Sequence, residues 1–176
     1  YLDLISGIAV SALGHGHPRI LKAIKEQSEK HLHVMVYGEF EQDAQNDLAS
    51  ELLKTLPDSI DSFYFVNSGT EAIEAALKLS KRVTGKQEII AFNKAYHGST
   101  HGSLSLSSNA LKKAPFEPLL PNIKHIELND SEQLNNITHE TACVILETIQ
   151  GDAGVRIPEK DYLQALRKKC DETCTL

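Results

Sequence analysis

Three short stretches of this chain carry residue types that could bind and orient a small polar ligand. The first is Phe65-Val66-Asn67-Ser68-Gly69-Thr70-Glu71-Ala72. An aromatic, β-branched run ends, a small polar turn follows, and a helix-forming stretch begins at once. Ser68 and Thr70 bring hydroxyl donors, Gly69 lets a ligand approach the backbone, and a helix start offers free N–H groups, a combination suited to a phosphate. The same residues equally make an ordinary capped helix, with Ser68 or Thr70 as N-cap and Glu71 in the first turn. Neither of two common phosphate motifs is present: no Gly-Lys-Ser/Thr follows the glycine, and no G-x-G-x-x-G occurs.

The second stretch is Ala95-Tyr96-His97-Gly98-Ser99-Thr100. Tyr96 could stack on a planar ring, and His97 could hydrogen-bond a ligand or move a proton; taken alone, the stretch reads as a surface loop. The third is Glu147-Thr148-Ile149-Gln150-Gly151-Asp152-Ala153-Gly154. Glu147 closes an apolar run, so burying it requires a partner or a displaced pKa. Gln150 offers both donor and acceptor, and Asp152 a negative charge. A polar, glycine-containing turn is the alternative reading.

The elements that must position these stretches follow from periodicity. Residues 1–10 read as a short extended segment broken at Gly7, followed by the turn Gly14-His15-Gly16-His17-Pro18. Helical spacing predicts helices from Pro18 to about Leu32 and from about Asp43 to Thr55. Beyond that, strand and helix alternate: a strand over Ser62–Val66, a helix over Thr70–Val83 ended by Gly85, and a strand over Glu88–Phe92. A short strand over Ile123–Leu128, a buried strand over Ala142–Glu147 and a helix from Glu159 to about Glu172 complete the pattern. Ser103–Ser107 alternates polar and apolar residues without a clear assignment. Glu74 and Lys78 are spaced for an i,i+4 ion pair. This order predicts an α/β architecture with a mostly parallel sheet flanked by helices. Each of the three stretches then follows a strand, so all converge at one sheet edge, where open α/β sheets bind ligands. Phosphate donors, a stacking aromatic and acidic or amide groups on one edge meet the needs of a planar phosphorylated cofactor.

Composition narrows the class. The 176 residues are enough for one buried core, with 41% apolar and 24% charged residues and a net charge of −6. Charges of both signs are mixed along the chain, which argues against a nucleic-acid-binding face. No apolar run has the length of a membrane span, and Tyr1-Leu2-Asp3-Leu4 lacks the basic start of a signal peptide. Of the three cysteines, Cys143 sits in an apolar run as a small core residue, while Cys170 and Cys174 share a helical face if the helix reaches that far. No matching ligands make them a zinc pair, and three scattered cysteines fit a reduced, cytoplasmic protein. The ending Thr173-Cys174-Thr175-Leu176 reads as the opening of a further strand, so a chain truncated at its carboxyl end is expected.

Taken together, these motifs resemble the class III aminotransferases, the ornithine and acetylornithine type within fold type I of the pyridoxal-phosphate (PLP) enzymes. Ser6-Gly7-Ile8-Ala9-Val10 followed by Leu13-Gly14-His15-Gly16-His17-Pro18 is similar to the family's amino-terminal signature. Asn67–Ala72 resembles its phosphate-binding turn, Tyr96-His97-Gly98 its ring-stacking loop, and Glu147–Gly154 its E-P-x-Q-G-E-x-G stretch. The resemblance implies that residues 1–43 belong to a small amino-terminal segment and 44–176 to the first part of the large PLP-binding domain. It implies that Ser68, Gly69 and Thr70 hold the PLP phosphate and that Tyr96 stacks on the pyridine ring with His97 beside it. Glu147 and Gln150 then line the cofactor's other side, and Asp152 takes the place of a substrate-gating Glu. Asp152 is shorter than that Glu, and Thr148 replaces the usual Pro. The family's pyridine-nitrogen Asp, Schiff-base Lys and carboxylate-binding Arg fall after Leu176, so no catalytic residue is assigned within the chain, and the fragment by itself is expected to be inactive. The implied activity is transfer of an amino group between an acetylornithine- or ornithine-like amino acid and 2-oxoglutarate, in a homodimer. Two alternatives stay open: a glutamate-1-semialdehyde-type aminomutase on the same fold, and a non-catalytic domain that binds a phosphorylated ligand.

Overall fold

The computed structural model describes residues 1–35 and 39–176. Its backbone divides into two compact units, Tyr1–Phe63 and Tyr64–Leu176. The first contains helices α1 (Pro18–Lys30) and α2 (Asp43–Leu53). Pro18 opens α1 at a position where its missing N–H costs nothing, and the His17 ring accepts from the Arg19 amide at 3.3 Å. The apolar residues Ile20, Leu21 and Ile24 of α1 are exposed. Residues 1–10 are not extended as expected. The Asp3 carboxylate accepts the amides of Ile5 and Ser6, and Ser6, Gly7, Ile8 and Ala9 all take positive φ, so the segment winds through successive turns.

The second unit is a three-stranded parallel sheet covered on both faces. In chain order it comprises α3 (Gly69–Thr84), β1 (Glu88–Phe92), α4 (His101–Ser105), α5 (Ala110–Lys113), β2 (Ile123–Ile126), β3 (Thr141–Val144) and α6 (Lys160–Thr173). The strand order is β2-β1-β3, with Ile89 opposite Ile123 and Phe92 opposite Ile126. β1 is central and buried along nearly its whole length, which explains its uninterrupted apolar run. Its side chains alternate between two cores. Ile89 and Ala91 pack with Leu77 of α3, Leu106 and Cys143. Ile90 and Phe92 pack with Ile126, Tyr162, Leu166 and Cys170, the last three from α6. The Phe92 and Tyr162 rings meet edge to face, centroids 6.4 Å apart, and burial pushes the Tyr162 hydroxyl up to about 12. This is the α/β, mostly parallel, helix-flanked architecture that the alternating pattern predicts.

Several elements differ from expectation. Ser62–Val66 is not one of the strands, and Tyr64, Phe65 and Val66 are all exposed. Ser103–Ser107 begins inside α4, whose start is held by the Glu74 carboxylate of α3. The strands over 123–128 and 142–147 are shorter than expected, and α6 runs one residue further, to Thr173. Cys174 follows as a left-handed cap and is exposed, so it does not share a helical face with the buried Cys170. Lys86 donates to the carbonyls of Thr173 and Cys174 at 2.9 and 2.8 Å, fixing this helix end. Leu176 then pairs with β3: its amide donates to Ala142 and its carbonyl accepts from Val144. The end of the chain thus sits in a strand position, as its sequence suggests. Among the described residues, no helix is long and apolar enough to cross a membrane.

Because Phe92 is fully buried at the centre of the sheet, truncating it removes packing that the fixed backbone cannot recover. Phe92→Ala is expected to lower unfolding free energy by about 3–5 kcal/mol, measured by urea denaturation.

Candidate functional site

The first stretch forms the start of α3 as a capped helix. Ser68 is the N-cap, and its Oγ accepts from the Glu71 amide at 3.3 Å. The Glu71 carboxylate reaches back to the Asn67 amide at 2.7 Å. Among the described residues no acceptor lies on the amides of Gly69 and Thr70, and nothing comes within 4 Å of a Cβ built on Gly69. A helix of 16 residues therefore ends in two open N–H groups beside an unobstructed glycine. Its dipole favours negative charge at the same place. The capped-helix reading and the anion-site reading are thus compatible: one turn satisfies both.

The second stretch lies directly against the first. The Thr70 hydroxyl is 2.8 Å from that of Thr100 and 2.6 Å from that of Ser103. Gly98, at φ +128°, lets the loop come this close; a Cβ there would lie 2.6 Å from the Thr70 Cβ and 2.8 Å from the Ser103 Oγ. Tyr96 follows β1 with its ring half exposed, and its hydroxyl is 3.3 Å from the Ser99 Oγ. The Lys112 ammonium stands 5.7 Å from the ring centre, within cation–π range. His97 points inward. Its Nε2 is buried and has no hydrogen-bond partner among the described residues, and burial holds the imidazole below its ordinary pKa, opposed by the Glu147 carboxylate.

The third stretch closes on the second. Glu147 accepts the Tyr96 amide on one oxygen at 2.8 Å and the Gly151 amide on the other at 3.4 Å. These bonds supply the partner that its position after an apolar run requires. Gln150 is fully buried; its amide donates to the Asn93 carbonyl at 3.1 Å and accepts from Arg156 at 3.0 Å. Asn93 in turn donates to Glu127 at 2.6 Å, so Gln150 ties the end of β1 to the hairpin where Gln150 and Arg156 pair. Asp152 is exposed, with its carboxylate 3.7 Å from Lys112. A cleft of about 370 Å³ lies here, lined by Lys94, Tyr96, Ser108, Lys112 and Asp152 among others.

The three stretches are therefore bonded to one another, the first to the second through Thr70 and the second to the third through Tyr96 and Glu147. Several residues that build the site carry no motif. Ser103, Asn93, Lys112 and Arg156 have roles visible only in three dimensions, as does the hydroxyl of Thr100 at the end of the second stretch. Glu74 is a correction. It forms no ion pair with Lys78; its carboxylate accepts the Thr100 hydroxyl at 2.5 Å and the Gly102 and Ser103 amides at 2.9 and 3.2 Å. Three donors at the start of α4 outcompete one solvated ammonium on a helix face, where such pairs contribute only about 0.3–0.5 kcal/mol.

The whole chain, residues 1–176, matches the family model described as aminotransferase class-III. It is 42% identical to an acetylornithine aminotransferase of Methanopyrus kandleri over 98% of the chain and 44% of that protein. It is 41% identical to a [LysW]-aminoadipate semialdehyde/glutamate semialdehyde transaminase of Sulfolobus acidocaldarius, over 100% of the chain and 45% of that protein. Among solved structures, an ornithine aminotransferase of Toxoplasma gondii, described with partial occupancy of PLP at its active site, superposes with a TM-score of 0.86 at 26% identity. That match covers 100% of the chain and 43% of the other. An adenosylmethionine-8-amino-7-oxononanoate aminotransferase of Methanocaldococcus jannaschii gives 0.87 at 29% identity, with the same coverage. This chain belongs to the class III aminotransferase family. It spans somewhat under half the length of the curated relatives named here.

The buried imidazole gives a pH test. Folding holds His97 below the 6.5 of a free histidine, so the unfolded chain takes up the proton first. Its contribution to stability is present above pH 6.5 and is lost as pH falls through the lower folded value. His125 is lowered by burial as well and acts in the same direction. Unfolding free energy measured by denaturant titration should fall as the solution is acidified from neutrality, and fall less steeply in His97→Gln.

Proposed function

We propose that the polypeptide carrying this chain is a PLP-dependent aminotransferase acting on an acetylornithine- or ornithine-like amino acid with 2-oxoglutarate as partner keto acid. The observation that carries the reading is the bonding of the three stretches into one site, with two open helix amides on one side and the Tyr96 ring on the other. The residues fit the cofactor in three respects. Ser68 spends its oxygen on the Glu71 amide and keeps its proton, and the Gly69 and Thr70 amides lack acceptors, so these three donors would hold a phosphate. Tyr96 offers a ring face, and its backbone is fixed by Glu147. His97 presents a buried, unpartnered nitrogen at the same loop.

When bound, PLP supplies an electron sink that lets an amino acid release its α-proton. The chain's own residues supply the setting. Glu147 fixes the height of Tyr96 by holding its amide, and Gln150 braces the hairpin behind it. Asp152, bonded to Lys112 beside Tyr96, is placed to influence the charge met by an incoming acidic substrate. The printed names of the relatives support an amino-acid substrate of the acetylornithine or semialdehyde type, and family resemblance supports a homodimer. None of the lysines of the chain is assigned the covalent link to the cofactor.

The native polypeptide, supplied with PLP, is expected to form glutamate from 2-oxoglutarate when acetylornithine or ornithine is present and none when the keto acid is omitted. Ser68→Ala should weaken PLP binding about tenfold by removing one charge-assisted donor. Turnover without any keto acid would point instead to an aminomutase, and absence of PLP binding to a non-catalytic domain.

A further inference from the structure

The proton inventory at the start of α3 assigns roles that residue type alone leaves open. Both Ser68 and Thr70 carry hydroxyls suited to a phosphate, yet their surroundings differ. Thr100 lies 2.5 Å from a Glu74 oxygen. A carboxylate only accepts, so the Thr100 proton is committed to Glu74. Thr70 lies 2.8 Å from the same Thr100 oxygen. With Thr100's proton already used, Thr70 must be the donor in that contact. Ser103 completes the cluster at 2.6 Å from Thr70 and 3.0 Å from the Thr100 hydroxyl, and its proton can go to Thr70, to that hydroxyl or to the Thr100 carbonyl at 3.2 Å. The Thr70 proton is thus drawn inward, to the Thr100 or the Ser103 hydroxyl, and both residues are held by Glu74.

We propose that Glu74 is a positioning residue for the phosphate-binding turn. By accepting the Thr100 hydroxyl and the Gly102 and Ser103 amides, it anchors Thr70 through its side chain. The anion is then left to the Gly69 and Thr70 backbone amides and the Ser68 hydroxyl. The proposal rests on the PLP reading above and deepens it. The Thr70 side chain acts as a strut, and its backbone amide does the binding. Packing supports the tie: a Cβ on Gly102 would lie 2.7 Å from the Glu74 carboxyl carbon, so the start of α4 is seated directly on that side chain. Glu74 is only partly buried, but three donors converge on one of its oxygens.

The test compares two probes on the native polypeptide, PLP and pyridoxal, which lacks the phosphate. Glu74→Ala is expected to weaken PLP about tenfold while changing pyridoxal by less than about twofold, because only the phosphate reads the position of the amides. Glu74→Gln retains an acceptor oxygen of the same reach and should restore PLP affinity to within about threefold of the parent. Thr70→Val should lower PLP affinity by cutting the strut. The Thr70→Val, Glu74→Ala pair should lose no more than the larger single loss, since both changes break one chain of bonds. Should Glu74→Ala fail to fold, Thr100→Val cuts the same chain with Glu74 in place and should show the same selective loss of PLP. Equal loss of PLP and pyridoxal would overturn the proposal. So would losses that multiply in the double variant, or a Gln variant no better than Ala. Failure of the unsubstituted protein to bind either probe would instead refute the PLP reading itself, and the proposal with it.

Discussion

Two carboxylates accepting backbone amides hold the loops of this site together. Glu147, at the end of the β3 region, takes the amides of Tyr96 and Gly151. Glu74, on α3, takes those of Gly102 and Ser103 together with the Thr100 hydroxyl. Loop amides at the edge of a sheet have no ladder partner, and leaving them unsatisfied costs more than the bond itself contributes. A charged acceptor meets two or three of them at once and is stronger than a neutral one. The segment 95–103 is pinned between these carboxylates, one bonding each end. The half-exposed ring of Tyr96 and the inward ring of His97 take their places as a result.

The sheet sets where those anchors stand. Burial of β1 on both faces places Ala95 and Tyr96 immediately beyond its carboxyl end, and β3, paired beside it, delivers Glu147 to the same edge. α3 packs on one face through Leu77 and brings Ser68 to Thr70 to that edge from its amino end. The donors at the start of α3 therefore depend on the core as well as on their own chemistry. A shift of β3 against β1 would move Glu147 away from the Tyr96 amide and loosen the ring.

Much of this was legible in the order of residues, for physical reasons that can be named. The alternation of helical and strand periods identified β1, α3 and α6 because both cores require it. The turn at Ser68, the ring at Tyr96 and the acid at Glu147 stood out because polar groups after apolar runs must do something with their hydrogen bonds. Local pattern failed where distant partners decide. Glu74 has the spacing of a helix-surface ion pair with Lys78, but residues about 28 positions away offer it better donors. Those partners of Glu74 are remote in sequence and adjacent in space.

The central claim is that one site joins the open amides of α3 to the Tyr96 ring. Amide chemical shifts of the native polypeptide, followed by ¹H–¹⁵N correlation spectra during titration with PLP and with pyridoxal, test it most directly. PLP is expected to shift Gly69 and Thr70 together with Tyr96 and His97, whereas pyridoxal shifts the ring loop and leaves the two helix amides in place. Shifts on PLP addition that spare Gly69 and Thr70, or that reach them without Tyr96, would contradict it.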